Sequence, residues 1–180
     1  MATKTNAVRL VQQAGIPCRE AFYEFDEQDL SGVHAAQAVG MPEEQVFKTL
    51  VARGEKTGIN VFCIPVCCEL DLKKAAKAAG DKNMELVAVK ELLGLTGYIR
   101  GGCSPVGMKK RYPTFIDETC TLWDEIAVSA GARGHQMIVP PQPLAELVGA
   151  ELTDIIVQKG NRHVRIQDKR HLFPEDFLRH

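Results

Sequence analysis

The sequence predicts a single α/β domain with a mixed, partly closed barrel-like β-sheet and flanking helices. Three observations carry that expectation. The chain has 180 residues, enough for one domain with its own core. Segments with helical spacing alternate with short runs rich in Val, Ile, Phe and Thr, which is strand composition. Several of those runs are joined by turns too short to hold a helix, so some neighbouring strands must pair antiparallel. That argues against a doubly wound parallel sheet.

From the N-terminus, Val8, Val11 and Ala14 recur at helical spacing over residues 5–14, and Gly15 and Pro17 stop the helix. Residues 18–25 alternate, with Ala21, Tyr23 and Phe25 on one face of a strand. Ser31 caps a helix that ends at Gly40. Residues 42–45 read as one helical turn. Residues 46–52 and 60–66 read as strands on either side of a turn-rich stretch, 54–58, and so as a hairpin. Asp71 caps a helix that ends at Gly80 and carries Lys73, Lys74 and Lys77 on its outer face. Residues 84–87 read as a short strand, 88–95 as a short helix and 101–107 as a glycine-rich loop. Strands follow at 113–117, 125–129 and 136–139, with a turn at 131–134. A helix over 143–149 and a short segment complete a domain expected to span 1–157. Residues 158–180 differ: six basic side chains stand against three acidic ones, which reads as a basic C-terminal extension that docks on the body or on a partner.

Composition narrows the function classes. The longest apolar run, 61–68, is eight residues and contains Pro65, whereas a membrane-spanning helix needs about 20. No secretory h-region is visible near Met1, so the expected setting is cytoplasmic. The formal net charge of −1 excludes a protein that binds nucleic acid by bulk charge alone, but not one that contacts it over a small area. Six cysteines occur at irregular spacing; without a second Cys/His pair at zinc spacing they read as thiols in apolar strands. Neither a metal nor a cofactor is expected.

The loop Gly101-Gly102-Cys103-Ser104-Pro105-Val106-Gly107 is the most informative segment. Its glycines let backbone N–H groups come close to a carbonyl, carboxylate or phosphate oxygen. Arg100, Lys109, Lys110 and Arg111 flank it, and residues 100–116 contain no acid, which suits an anionic ligand such as a nucleic-acid end. A structural turn in a solvated basic segment is the competing reading. Lys48 lies in an apolar strand, where it either sits outward on an edge or orients negative charge in a cleft. Tyr23 either packs against the core or offers its hydroxyl to a pocket. Cys103 would serve as a nucleophile only beside a base, and no Ser-His-Asp arrangement is legible.

Several of these segments, in order, resemble the YbaK/EbsC family of freestanding aminoacyl-tRNA editing proteins, in particular the Cys-tRNA(Pro) deacylases. They are Phe47-Lys48-Thr49-Leu50, Leu70-Asp71-Leu72-Lys73-Lys74-Ala75-Ala76-Lys77, Thr96-Gly97-Tyr98 with the loop 101–107, and Ser129-Ala130-Gly131-Ala132-Arg133-Gly134. The resemblance spans roughly residues 4–157. It implies a fold like that of the prolyl-tRNA synthetase editing domain and hydrolysis of the ester between a wrong amino acid and the 3′-terminal adenosine of tRNA. It implies Lys48 as the catalytic residue, and Tyr23, Thr49, Gly101, Gly102, Ser104, Pro105 and Gly107 as substrate-binding residues. The implied partners are the aminoacyl-tRNA acceptor end and prolyl-tRNA synthetase. Two positions depart from the family pattern: Pro143 stands where an Asp begins the late helix, and Ala132 where Lys is common. A non-catalytic tRNA-end or synthetase-binding module and a deacylase for Ala or Ser remain as alternative readings.

Overall fold

The structure, a computed structural model, describes residues 4–158; the extension expected over 158–180 lies outside them but for its first residue. Among the described residues, eight strands form two sheets. In the smaller, β1 (Arg19–Phe22), β7 (His135–Val139) and β6 (Ile126–Ala132) lie antiparallel in the order β1-β7-β6. The larger is mixed, in the order β4-β2-β3-β5-β8. Here β2 (Phe47–Gly54) pairs antiparallel with β3 (Gly58–Pro65) and β4 (Met84–Leu86), while β5 (Thr114–Asp117) runs parallel to both β3 and β8 (Ala150–Thr153). A mixed α/β fold is therefore what the chain adopts. The sheets touch through a parallel bridge between Val46 and Ala127, and neither is closed into a barrel.

The predicted hairpin forms in register, from Phe47 opposite Pro65 to Gly54 opposite Gly58. Pleat alternation gives the larger sheet two apolar faces. Phe62, Ile64 and Phe115 pack on Ala75 and Ala76 of α3 (Leu72–Ala79), with the Phe62 and Phe115 rings stacked 5.3 Å apart. Phe47, Cys63 and Ile116 face the other way, toward Val128 and Met137 of the smaller sheet. Val8 and Val11 of α1 (Asn6–Gln13) and Leu144 of α5 (Pro141–Val148) close that core. Ser31 caps α2 (Gly32–Val39) by accepting from His34 N–H, and Asp71 caps α3 by accepting from Lys73 and Lys74 N–H, both as expected.

Several elements differ from expectation. The strand expected over 125–129 continues to Ala132, with an irregularity between Ser129 and Ala132. The last helix begins at Pro141, so Pro143 sits in its first turn, where a missing N–H costs nothing. Glu118–Leu122 form a 3-10 turn capped by the buried Asp117, whose carboxylate accepts from Thr119 N–H and Oγ1–H and, at its other oxygen, from Ile155 N–H. Lys74 is not simply outward: its Nζ pairs with Asp154 at 3.0 Å and donates to the Ile156 carbonyl at 2.8 Å, fastening α3 to the chain after β8.

Candidate active site

The two sheets leave a gap between them. β2 starts beside β6 at the Val46–Ala127 bridge, then swings away to pair with β4 from Ala52 onward. Over the intervening residues one edge of β2 has no described strand beside it. A cleft of about 580 Å³ occupies this gap. Its walls are β2, the start of α2, the segment from Leu86 into α4 (Val89–Thr96), the loop at Arg100–Cys103, and Ser129 and Gln136 of the smaller sheet.

This cleft collects Tyr23, Lys48, Thr49 and Gly101 of the eight expected site residues. Tyr23 is held at the end of β1 by its N–H, which donates to the Gly134 carbonyl at 2.9 Å. Lys48 is half-buried and forms no ion pair among the described residues, so its ammonium is uncommitted. Thr49 Oγ1 lies 3.6 Å from Cys63 Sγ.

Gly102, Ser104, Pro105 and Gly107 do not line the cleft; they hold the loop that does. Gly102 lies so close to the turn after β6 that a Cβ there would sit 3.1 Å from the Ala132 carbonyl carbon and the Arg133 nitrogen. Ser104 is fully buried, and its Oγ accepts from Val106 N–H. Tyr98 braces the same loop by donating to the Val106 carbonyl, and Tyr112 ties the segment after it to α4 by donating to the Leu95 carbonyl. Arg133 Nε donates to the Arg100 carbonyl at 2.9 Å, which pins the segment entering the cleft. Gly101 N–H has no partner among the described residues.

Among the residues that line the cleft, the charged ones are Lys48 and Arg100, and no carboxylate joins them. Neither Pro143 nor Ala132 lines it, so those two departures fall outside the cleft wall. Cys103 does line it, but burial pushes its thiol up to about 12, so it stays protonated near neutral pH and is a poor nucleophile. Burial likewise raises the Cys63 and Cys120 thiols to about 12. Cys67 is exposed, which the expectation of strand-buried thiols missed. Among the described residues, no cluster of three or more His, Cys, Asp or Glu side chains could hold a metal ion, and no helix is long and apolar enough to cross a membrane.

Sequence reasoning did not single out Ser129 and Gln136 as site residues. Ser129 lay inside a family-like segment and had that much signal. Gln136 had none: all of β7 is buried, so no polar alternation marks the inward positions.

The aminoacyl-tRNA editing domain family matches residues 30–147, most of the chain and most of the cleft wall. The chain belongs to this family. Across 87% of its length the editing protein is 44% identical to a protein of Enterococcus faecalis named "Putative Cys-tRNA(Pro)/Cys-tRNA(Cys) deacylase EbsC", of which it covers 95%. Among solved structures, it matches all of a putative trans-editing enzyme for prolyl tRNA synthetase over 87% of its own length, at 28% identity and a TM-score of 0.71. A hypothetical protein at 22% identity shares the fold, with a TM-score of 0.75 over 83% of this chain and 97% of the other.

Proposed function

We propose that this chain is a trans-editing deacylase that hydrolyses mischarged aminoacyl-tRNA at the 3′-terminal ester, with Cys-tRNA(Pro) as its substrate. Residues 1–157 are the editing domain on this reading, with the two sheets as the partly closed wall around the aminoacyl end. The observation that carries it is the single cleft joining Lys48, Tyr23, Thr49 and Gly101 in a chain 44% identical to the protein named for that reaction.

The cleft suits an ester end. An aminoacyl ester is already activated, so the protein need only position it and stabilise the oxyanion that forms at its carbonyl. Gly101 N–H is available for that oxygen, and the Lys48 ammonium supplies positive charge close by. The half-exposed Leu86 and Val89 form an apolar lip against which the terminal adenine can pack. With Cys103 protonated, the attacking group is the substrate's own thiol or water. In the thiol route the substrate sulfur bonds to its own carbonyl carbon, the ester C–O bond breaks, and the terminal ribose leaves with the thiol proton. Water then opens the cyclic thioester to free cysteine. Prolyl-tRNA synthetase would supply the remaining tRNA contact.

The test is deacylation of tRNA(Pro) charged with Cys, Ala or Ser, with and without the synthetase. Release of free cysteine well ahead of alanine and serine is expected, and no release overturns the reading. Lys48→Ala should reduce kcat/KM by about 100-fold or more without lowering Tm, since Lys48 forms no ion pair among the described residues. A near wild-type rate removes Lys48 from the mechanism.

A further inference from the structure

Gln136 lines the cleft, is only 5% exposed, and its side-chain carbonyl oxygen is buried without a hydrogen-bond partner among the described residues. A buried acceptor left unpaired is costly, and one that lines a cleft can be satisfied by a ligand that enters it. Register fixes which way the residue faces. Gln136 lies directly opposite Ser129 on one side and Ala21 on the other, and residues opposed in an antiparallel ladder share a face. Ser129 also lines the cleft; its Oγ accepts from Gly131 N–H.

The chemistry of the cleft then selects the ligand group. Any aminoacyl ester brings a carbonyl oxygen, an α-amino group and a side chain. The carbonyl oxygen needs donors, which Lys48 and Gly101 supply. The α-amino group needs acceptors, and the described residues lining the cleft include no carboxylate. Gln136 Oε1 is the one side-chain carbonyl among the residues lining the cleft. A thiol is a weak donor by comparison, so a cysteine side chain would use this acceptor less well than an ammonium does.

We propose that Gln136 is a substrate-positioning residue whose carbonyl oxygen accepts a hydrogen bond from the substrate α-amino group, with the Ser129 oxygen as a second acceptor. This deepens the deacylase reading and rests on it. Anchoring the α-amino group on the smaller sheet fixes the carbonyl between that sheet and Gly101. The cleft then selects α-aminoacyl esters over other acyl esters whatever their side chain.

The test compares cysteinyl-tRNA(Pro) with 3-mercaptopropionyl-tRNA(Pro), which keeps the thiol and lacks only the α-amino group, in the wild type and in Gln136→Met. Methionine keeps the volume and removes the acceptor. The variant is expected to lose about 10- to 100-fold in kcat/KM on the cysteinyl substrate and to leave the desamino substrate unchanged. Equal losses on both, or no loss on either, overturn the proposal. A second measurement needs neither turnover nor a folded variant. Cysteine joined through an amide to 3′-amino-3′-deoxyadenosine, and its desamino counterpart, are titrated into wild-type protein while the Gln136 side-chain NH₂ signals are followed by NMR. Movement with the amine compound alone supports the contact; no movement, or equal movement with both, overturns it. If the wild type binds the amine compound through Gln136 yet releases no cysteine from tRNA, the deacylase reading fails while the contact stands.

Discussion

At the residue scale, the cysteines divide by environment in a way that chemistry can read out. Cys63, Cys103 and Cys120 are buried, and burial pushes each thiol well up, to about 12, so each stays largely protonated at pH 8. Cys67 is exposed, and the hydrogen bond from Cys68 draws its thiol below the ordinary value. Iodoacetamide at pH 8 should therefore label Cys67 first and leave those three unmodified until the protein unfolds. Peptide mass mapping checks this; early labelling of Cys103 would reopen it as a nucleophile. Lys48 and Tyr23 were legible as candidates, a lysine in an apolar strand and an amphipathic tyrosine on the first strand, and both line the cleft. Gln136 was not, because its significance lies in an unpaired oxygen, and pairing is a property of the folded neighbourhood. The loop residues were half legible. The glycines and Pro105 announced an unusual path, but only packing shows that Gly101 faces the cleft while Ser104 faces the core.

At the element scale, local signals fixed most helices and strands, since capping residues and turn glycines act over a few positions. What they left out was long-range. The parallel pairing of β5 with β3 and β8, and the bridge that joins the sheets, depend on partners distant in sequence. Two predictions belong here. Gly134, in the turn before β7, has φ +75°, and a Cβ there would lie 2.5 Å from the Tyr23 carbonyl oxygen. Gly134→Ala must therefore push the end of β1 outward as well as strain the turn. A loss of about 2 kcal/mol or more in a denaturant melt is expected, with a raised KM because Tyr23 leaves the cleft. The second concerns the hairpin tip. Asp81 follows α3 and accepts from Thr57 N–H, Thr57 Oγ1–H and Lys56 N–H at 2.8, 2.8 and 3.0 Å, tying the helix to the β2–β3 turn. These hydrogen bonds, with Thr57 N–H the strongest, hold its carboxyl well below the usual range. A depressed folded-state value stabilises the fold above the unfolded carboxylate value of about 3.9, and that gain fades as pH falls further. Asp81→Asn should thus lower Tm by a few degrees at pH 7, and its deficit should shrink steadily below about pH 4. A deficit independent of pH would show that charge on Asp81 is irrelevant.

At the scale of the whole molecule, charge decides how tRNA can be held. A chain with net charge −1 cannot grip a long stretch of backbone by releasing many counterions. Among the described residues lining its cleft, Lys48 and Arg100 have no opposing carboxylate, which on the proposed reading suits one acceptor end rather than a duplex. Contact with two or three single-stranded phosphates predicts a slope of roughly −1.5 to −2 in log kcat/KM against log salt at subsaturating tRNA. The extension beyond Gln158, with six basic residues against three acidic, is by its charge the expected place for any further phosphate contacts. Removing residues 159–180 should therefore flatten that slope and raise KM for whole tRNA, while leaving the rate on a short aminoacylated acceptor-stem substrate intact. The short substrate is expected to reach the cleft without the extension. An unchanged slope for the truncated chain would show that the extension does not touch tRNA. Any tRNA contact beyond the acceptor end would then have to come from prolyl-tRNA synthetase. A lost rate on the short substrate would place the extension at the cleft itself.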